Sequence, residues 1–139
     1  MTKEDRLRDI RNQNTYLDTV LKEVSTGSRV EEIVVFGFSQ GAATAGRWVE
    51  TLQNKPKALV CWCGMFPHDV DISTHSNSWN SMELYEVMGH DDPYRSDSRY
   101  TSWLERASTA GVDVQPIEFQ GGHEILPHAL ESLRDRIGS

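Results

Sequence analysis

The stretch that decides the fold is I-V-V-F-G-F-S-Q-G-A-A, residues 33–43. Its four leading apolar residues are typical of a short buried strand, and the alanines at its end favour a helix. The pattern G-x-S-x-G lies between them, with Ser39 at its centre. A sharp turn from a strand into a helix presents such a serine at the top of a sheet, an arrangement called a nucleophile elbow. The alternative is an ordinary turn in which Ser39 only caps the helix.

The small residues around Ser39 fit the elbow. We expect a Cβ at either Gly37 or Gly41 to crowd so tight a turn. The alanines that follow, at positions 42, 43 and 45, would allow the next helix to pack closely on the sheet.

The rest of the chain alternates between strand patterns and helix patterns. We predict helices over residues 3–25, 40–53 and 98–110 and from Pro127 onward, and strands over residues 33–36, 58–63, 82–88 and 112–119. The apolar runs of the inner strands are continuous, as in a parallel sheet that is covered on both faces. The sequence therefore predicts an α/β fold, a three-layer sandwich with a mostly parallel sheet, and a single domain over residues 1–139.

Composition excludes several classes of protein. The 139 residues are 37% hydrophobic and 25% charged, as in an ordinary globular chain. A net charge of −7 argues against nucleic-acid binding, and no apolar run approaches the ~18 residues that a membrane span needs. The charged first residues predict no secretory signal peptide. Cys61 and Cys63 are expected to be free buried thiols, which indicates the reducing cytoplasm, and the sequence shows no further ligands that would make them a metal pair.

A polar segment over residues 66–81 interrupts the pattern. It is either a lid or pocket wall, or an excursion over the surface. A metal site built from His68, Asp69, Asp71 and His75 would lack a recognised ligand spacing, so we expect no metal there. The remaining histidines outside residues 121–124, His90 and His128, are expected on the surface, like His68 and His75.

Candidate catalytic residues follow three of the predicted strands. Because such sheets place their sites in the loops after the carboxyl ends of parallel strands, Ser39, Asp92 and His123 are expected to meet. Their chain order of serine, acid and histidine is that of α/β-hydrolases. Asp91 competes with Asp92 for the role of the acid, and either aspartate could serve only as a turn or cap residue.

The chemistry assigns each of these groups a role. A serine hydroxyl is a poor nucleophile at neutral pH, so the imidazole of His123 would take its proton and later return it to the leaving group. Asp92 would fix the tautomer of His123 and stabilise its imidazolium form. The backbone N–H of Gln40 would be one oxyanion donor.

Three motifs together carry a family resemblance: G-F-S-Q-G at residues 37–41, G-x-x-D-P at 89–93 and G-H-E at 122–124. With them the chain resembles the carboxylesterase/phospholipase family of α/β-hydrolases, which includes acyl-protein thioesterases. In that family the acid is the aspartate just before the proline, which selects Asp92 over Asp91. The resemblance implies hydrolysis of esters or thioesters through a serine acyl-enzyme, with no metal and no organic cofactor.

The chain departs from the family at its beginning. Family members have several strands before the helix that matches residues 3–25, and an early loop there supplies the second oxyanion N–H. We therefore expect a reduced, C-terminal part of the α/β-hydrolase fold, with Met1 either an internal methionine of a longer protein or the start of a reduced one. The oxyanion hole would be half built. The exposed edge of the strand at Ile33–Phe36 would pair in a homodimer or with a missing N-terminal piece.

The leading functional hypothesis is a serine hydrolase acting on esters or thioesters of short acyl chains. A second is a non-catalytic or truncated hydrolase fragment that keeps the triad residues without a competent site. A third, a flavodoxin-like domain with its Ser/Gly turn on a phosphate, leaves the His123 loop unexplained. Trp62 and Trp79 hint at an apolar acyl pocket, although core packing accounts for Trp62 equally well.

Overall fold

The structure, a computed structural model, describes residues 2–27 and 32–138. The chain divides into two compact units, Met1–Ile33 and Val34–Ser139. The first unit contains helix α1, Lys3–Gly27, as the pattern of residues 3–25 predicts. The helix begins with a reciprocal cap, in which the Asp5 N–H donates to Thr2 Oγ1 at 3.0 Å and the Thr2 N–H donates to Asp5 Oδ2 at 3.3 Å. An aspartate thus performs the capping that Glu or Gln usually performs.

The second unit is built on a four-stranded sheet. Its strands are parallel and lie in chain order: β1 Val34–Phe38, β2 Ala58–Trp62, β3 Glu83–Gly89 and β4 Gln115–Phe119. The register aligns Phe38 with Trp62 and Gly89 with Phe119, so the carboxyl ends of the strands finish at one edge. The prediction of a parallel α/β sheet is confirmed.

Helices cover both faces of this sheet. They are α2 Gln40–Thr51, α3 Ser76–Trp79, α4 Ser98–Thr109 and α5 Pro127–Arg136. On one face, Ala129 and Leu133 of α5 join the core that is formed by alternate residues of the strands, such as Val60, Trp62 and Val87. The layers above and below the sheet make the predicted sandwich.

The opposite face is covered by α2 and α4. A Cβ on Gly37 would point into the Gly41 carbonyl, which shows how closely α2 approaches β1. Trp103 of α4 donates from Nε1 to Glu86 Oε1 of β3 at 2.7 Å. None of the helices in the described part of the chain is both long and apolar enough to cross a membrane.

Strand burial follows position in the sheet. Every residue of the inner strand β2 is buried, as its continuous apolar run predicts. The edge strand β4 alternates between buried and exposed residues and contains Pro116, a residue that sheets accommodate on edge strands. In the helix that begins at Pro127, the apolar pattern predicts Leu130, Leu133 and Ile137 on the inward side. For Leu130 this prediction is wrong, because its side chain is 39% exposed. The inward row of α5 runs through Ala129 and Leu133, four residues apart, and Leu130 lies beside that row.

Buried side chains anchor the segment over residues 66–81 to the core. Phe66 stacks on Trp103 at 4.9 Å between ring centroids and meets Trp79 edge-on at 5.1 Å. Its acidic groups are held locally: Asp69 pairs with Arg47 at 3.1 Å, and Asp71 accepts hydrogen bonds from neighbouring hydroxyls. The histidines of the segment are exposed.

Candidate active site

Ser39 lies between β1 and α2 in a backbone conformation that serine rarely adopts. Its φ is 58° and its ψ is −122°, a left-handed geometry that costs about 1–3 kcal/mol for a residue with a Cβ. The turn is held by the Ser39 N–H, which donates to the Trp62 carbonyl at 2.9 Å. The Ser39 side chain makes no capping hydrogen bond to α2, so the interpretation of Ser39 as a helix cap alone is wrong.

The two glycines of the elbow differ. A Cβ on Gly37 would collide with the Gly41 carbonyl and with the Ala42 Cα, so close packing requires a glycine there. A Cβ on Gly41 would meet open space, so the expectation of crowding at this position is wrong. A third glycine, Gly64, packs against this turn although it is not part of the elbow. A Cβ on Gly64 would collide with the Ser39 carbonyl.

Asp92 follows β3 and is buried, at 3% exposure, whereas Asp91 is exposed. Asp92 Oδ1 accepts a 2.9 Å hydrogen bond from the Tyr94 N–H. Burial alone would raise the pKa of Asp92. The hydrogen bonds from the Tyr94 N–H, from His123 and from the Cys63 thiol outweigh it and hold the pKa below its usual value. Asp92 is therefore an ionised carboxylate that accepts hydrogen bonds.

His123 lies in the loop after β4. Hydrogen bonds to the loop backbone before and after His123 hold this loop in place. The Asp91 N–H donates to the Gly121 carbonyl at 2.9 Å, which ties this loop to the turn after β3. The Trp62 Nε1–H donates to the Glu124 carbonyl at 2.8 Å, and Glu124 Oε2 in turn accepts from the Gly122 N–H at 2.9 Å. Trp62 is fully buried, so packing and loop support account for it, not a pocket wall.

Ser39, His123 and Asp92 form one continuous chain of hydrogen bonds. His123 Nδ1 is 2.8 Å from Asp92 Oδ2, and His123 Nε2 is 3.0 Å from Ser39 Oγ. Because an ionised carboxylate only accepts, Nδ1 carries the imidazole proton, and Nε2 is left to accept from the serine hydroxyl. An arrangement of this kind can remove the proton from Ser39 as the oxygen attacks a carbonyl carbon.

Gln40, the predicted oxyanion donor, is the first residue of α2. A backbone N–H at the first position of a helix has no acceptor within the helix, and the helix dipole favours negative charge beside it. Its placement directly after Ser39 suits an N–H that is to meet a developing oxyanion.

Three residues beside the candidate triad are not singled out as functional by the sequence pattern. The rings of Phe38 and Tyr94 flank His123, with centroids 5.0 Å and 5.1 Å from that of the imidazole. Cys63 is buried directly after β2 with a φ of 49°, and its sulfur lies within 4.8 Å of side-chain atoms of His123 and Asp92. Burial raises the pKa of this thiol to about 11. Only its place after a parallel strand could have pointed to Cys63, because the groups it meets come from distant parts of the chain.

The comparisons with known proteins agree with this architecture. The model of the phospholipase/carboxylesterase family matches residues 2–138. Among solved structures, Arabidopsis thaliana SOBER1 is 20% identical with a TM-score of 0.72, over 99% of this chain and 65% of SOBER1. Acyl-protein thioesterase 2 of Zea mays is 17% identical with a TM-score of 0.68, over 91% of this chain and 64% of that enzyme. A carboxylesterase of Mesorhizobium loti is 14% identical with a TM-score of 0.65, over 92% of this chain and 60% of that one.

No curated protein matches the sequence. The chain spans 65% of the length of SOBER1. At these identities the solved structures show only that the fold is shared. The match to the family model shows that the chain is related to the family. The strand–elbow–helix order, the parallel sheet and the match over residues 2–138 lead to one conclusion: the chain belongs to the phospholipase/carboxylesterase family of α/β-hydrolases.

Proposed function

We propose that the chain is a serine hydrolase that cleaves carboxylic esters or thioesters of short acyl chains. The observation that carries the proposal is the hydrogen-bond chain from Ser39 Oγ through both nitrogens of His123 to Asp92, with distances of 3.0 Å and 2.8 Å. Membership of a family described as phospholipases and carboxylesterases supports the same reaction class.

In the first half of the proposed reaction, Ser39 Oγ attacks the carbonyl carbon of the substrate while His123 Nε2 takes the hydroxyl proton. The carbonyl oxygen becomes an oxyanion, and the Gln40 N–H donates to it. When the tetrahedral intermediate collapses, the bond to the alcohol or thiol breaks. His123 gives its proton to that leaving group, and the acyl group remains on Ser39.

In the second half, water repeats these steps. His123 takes a proton from the water, whose oxygen attacks the acyl carbon and releases the carboxylic acid and the free Ser39 hydroxyl. Asp92 stays ionised throughout and stabilises the imidazolium that forms twice in each cycle. The partly exposed rings of Phe38 and Tyr94 offer a small apolar surface beside His123, which suits short acyl chains.

Intact-mass analysis after exposure to a fluorophosphonate tests the proposal, because this reagent reacts with an activated serine. We expect one adduct per chain, which is lost in Ser39→Ala and greatly slowed in His123→Ala. His128→Ala is the matched control, since His128 is an exposed histidine of α5 and should leave the labelling rate unchanged.

A folded chain without an adduct would overturn the proposal and favour a non-catalytic role for this part of the family fold. If the adduct forms, a series of p-nitrophenyl esters of increasing acyl length, compared with matched thioesters, gives the preferred substrate. We expect the highest kcat/KM at the short end of the series.

We also propose that β1 pairs with a second copy of the chain along its free edge. Among the described strands, β1 is hydrogen-bonded on one side only, and Val34 and Phe36 are 42% and 39% exposed. Unpaired apolar edges of this kind favour association. Sedimentation equilibrium at tens of micromolar should give a dimer, which Phe36→Lys should weaken and Leu130→Lys on α5 should not. A stable monomer would contradict the pairing.

A reducing compartment, the cytoplasm, is the setting we propose for this chemistry. Both cysteines, Cys61 in β2 and Cys63 directly after it, are free and buried, as predicted. Cell fractionation of the tagged chain tests the location, and recovery outside the cytoplasm would contradict it.

A further inference from the structure

Cys63 neither gives nor takes a proton in the proposed hydrolysis, although its thiol donates a hydrogen bond to Asp92. Its thiol is buried, and its sulfur lies 3.8 Å from the Gly122 carbonyl oxygen and 3.9 Å from that of Glu124, both long contacts. One donor atom from each of Cys63, Asp92 and His123 lies within 4.8 Å of the others. Three different elements therefore direct a sulfur, an oxygen and a nitrogen to one point.

This donor set has a clear chemical preference. Thiolate, imidazole and carboxylate together are typical ligands of Zn²⁺, whereas Mg²⁺ and Ca²⁺ require oxygen ligands almost entirely. Three protein ligands with a fourth position for water is a common zinc arrangement. We propose that Cys63, Asp92 and His123 form a binding site for Zn²⁺, and that the bound ion inhibits the hydrolase proposed above.

Only small movements separate these residues from zinc geometry. Bonds of about 2.0–2.3 Å in a tetrahedron place the ligand atoms roughly 3.3–3.8 Å apart. The Asp92–His123 pair, now at 2.8 Å, must open slightly. The other pairs, all within 4.8 Å, must close by at most about 1 Å. The side chain of His123 is 31% exposed, so the ring has room to adjust on its loop.

Inhibition follows from the tautomer of the imidazole, and this part rests on the proposed function. Nδ1 of His123 faces Asp92 and is the nitrogen placed to bind the ion. A neutral imidazole that binds a metal through Nδ1 carries its proton on Nε2. Nε2 then donates to Ser39 and can no longer accept its proton. The imidazole therefore keeps one proton, on Nε2 in place of Nδ1. The proton that zinc binding releases to the solvent comes from the Cys63 thiol, which binds the ion as a thiolate.

The test is a titration of the metal-free full chain with ZnCl₂ by calorimetry, with CoCl₂ as a spectroscopic probe. We expect one ion per chain, and a cobalt complex with an intense near-ultraviolet thiolate-to-metal charge-transfer band. Cys63→Ala should lose the band and weaken zinc binding at least about 100-fold, because even the loss of an outer partner costs 10- to 100-fold. Cys61→Ala is the matched control, as Cys61 is the other free buried cysteine.

Fluorophosphonate labelling, measured for each variant with and without zinc, tests inhibition. Zinc should slow labelling of the wild type and of Cys61→Ala far more than that of Cys63→Ala. The site is refuted if the wild-type cobalt complex has no charge-transfer band, a result that does not depend on any variant folding, or if Cys63→Ala binds zinc as the wild type does. Thiolate-dependent binding in a chain that never labels without metal would support the site and overturn the proposed function instead.

Discussion

Asp92 uses both oxygens of its carboxylate, Oδ2 toward His123 Nδ1 at 2.8 Å and Oδ1 toward the Tyr94 N–H at 2.9 Å. Asp91, its neighbour, is exposed and contributes its backbone N–H to the Gly121 carbonyl. The buried carboxylate is therefore placed to orient the imidazole, and the exposed one is not. This difference gives a matched pair of substitutions one residue apart.

Asp92→Asn should reduce kcat by about 10⁴-fold. An uncharged amide cannot balance the positive charge of the His123 imidazolium, and it holds the neutral ring in the wrong tautomer. Asp91→Asn should retain wild-type kcat. Initial rates with p-nitrophenyl acetate give both values, and circular dichroism checks that each variant is folded. Equal losses in the two variants would remove Asp92 from its proposed role.

The elbow provides a second matched pair, for stability. Gly37→Ala should lower the free energy of unfolding by about 1–3 kcal/mol or more, because its Cβ would collide with the backbone at Gly41. Gly41→Ala should be neutral or stabilising by up to about 1 kcal/mol, since position 41 is helical and open. Urea denaturation monitored by tryptophan fluorescence measures both. A larger loss from Gly41→Ala than from Gly37→Ala would contradict the packing of this turn.

Most of the fold could be predicted because its signals are local. Continuous apolar runs predict the ends of β1, β2 and β3 to within two residues. The alternating pattern of β4 predicts its end, but the strand begins at Gln115, three residues after the predicted start. Glycine and proline mark the connections, and the stripe over residues 3–25 gives helix α1. The candidate residues Ser39, Asp92 and His123 follow from the rule that places sites after parallel strands, and the structure brings them into contact.

The predictions that failed depend on contacts between distant parts of the chain. Open space beside Gly41, and the helix phase that leaves Leu130 outside the core, are set by how α2 and α5 lie on the sheet. The same holds for Cys63 and Trp62, whose partners lie in loops that follow β3 and β4. No pattern within a short window of sequence carries this information.

Glu86 leads to a prediction about pH. It is fully buried between the sheet and α4, where Trp103 donates to Oε1, and Oε2 has no hydrogen-bond partner among the described residues. Burial, only partly opposed by the hydrogen bond from Trp103, raises the pKa of Glu86 well above its usual value. In the unfolded chain the carboxyl ionises near pH 4.3, about its ordinary pKa. As the pH rises above about 4, the unfolded state releases a proton that the folded state keeps, so stability falls until the folded pKa is passed.

Glu86→Gln should remove this dependence, because an amide stays neutral at every pH. Between pH 5 and pH 8 the wild type should lose unfolding free energy relative to the variant, because only the wild type carries a carboxyl whose pKa is raised by folding. Urea denaturation at both pH values measures this loss. Glu105→Gln, an exposed position on α4, should keep the loss of the wild type and serves as the control. Parallel pH profiles of wild type and Glu86→Gln would contradict the assignment.

The two rings beside His123 lead to the last prediction. Centroid separations of 5.0 Å to Phe38 and 5.1 Å to Tyr94 lie within the range in which an aromatic ring attracts a cation. In the proposed mechanism, each ring should therefore stabilise the imidazolium of the transition state more than the neutral imidazole that precedes it. An attraction of about 0.5–2 kcal/mol corresponds to roughly 2- to 30-fold in rate.

Tyr94→Leu should accordingly lower kcat/KM for p-nitrophenyl acetate by that factor, whereas Tyr94→Phe, which keeps the ring, should stay near the wild type. The pair separates the ring from the phenolic hydroxyl. If both variants lose the same activity, the hydroxyl and not the ring carries the effect. If neither loses activity, the ring contributes nothing to the transition state. Since the Tyr94 N–H that holds Asp92 belongs to the backbone, either substitution leaves that hydrogen bond available, and a loss confined to Tyr94→Leu can be assigned to the ring.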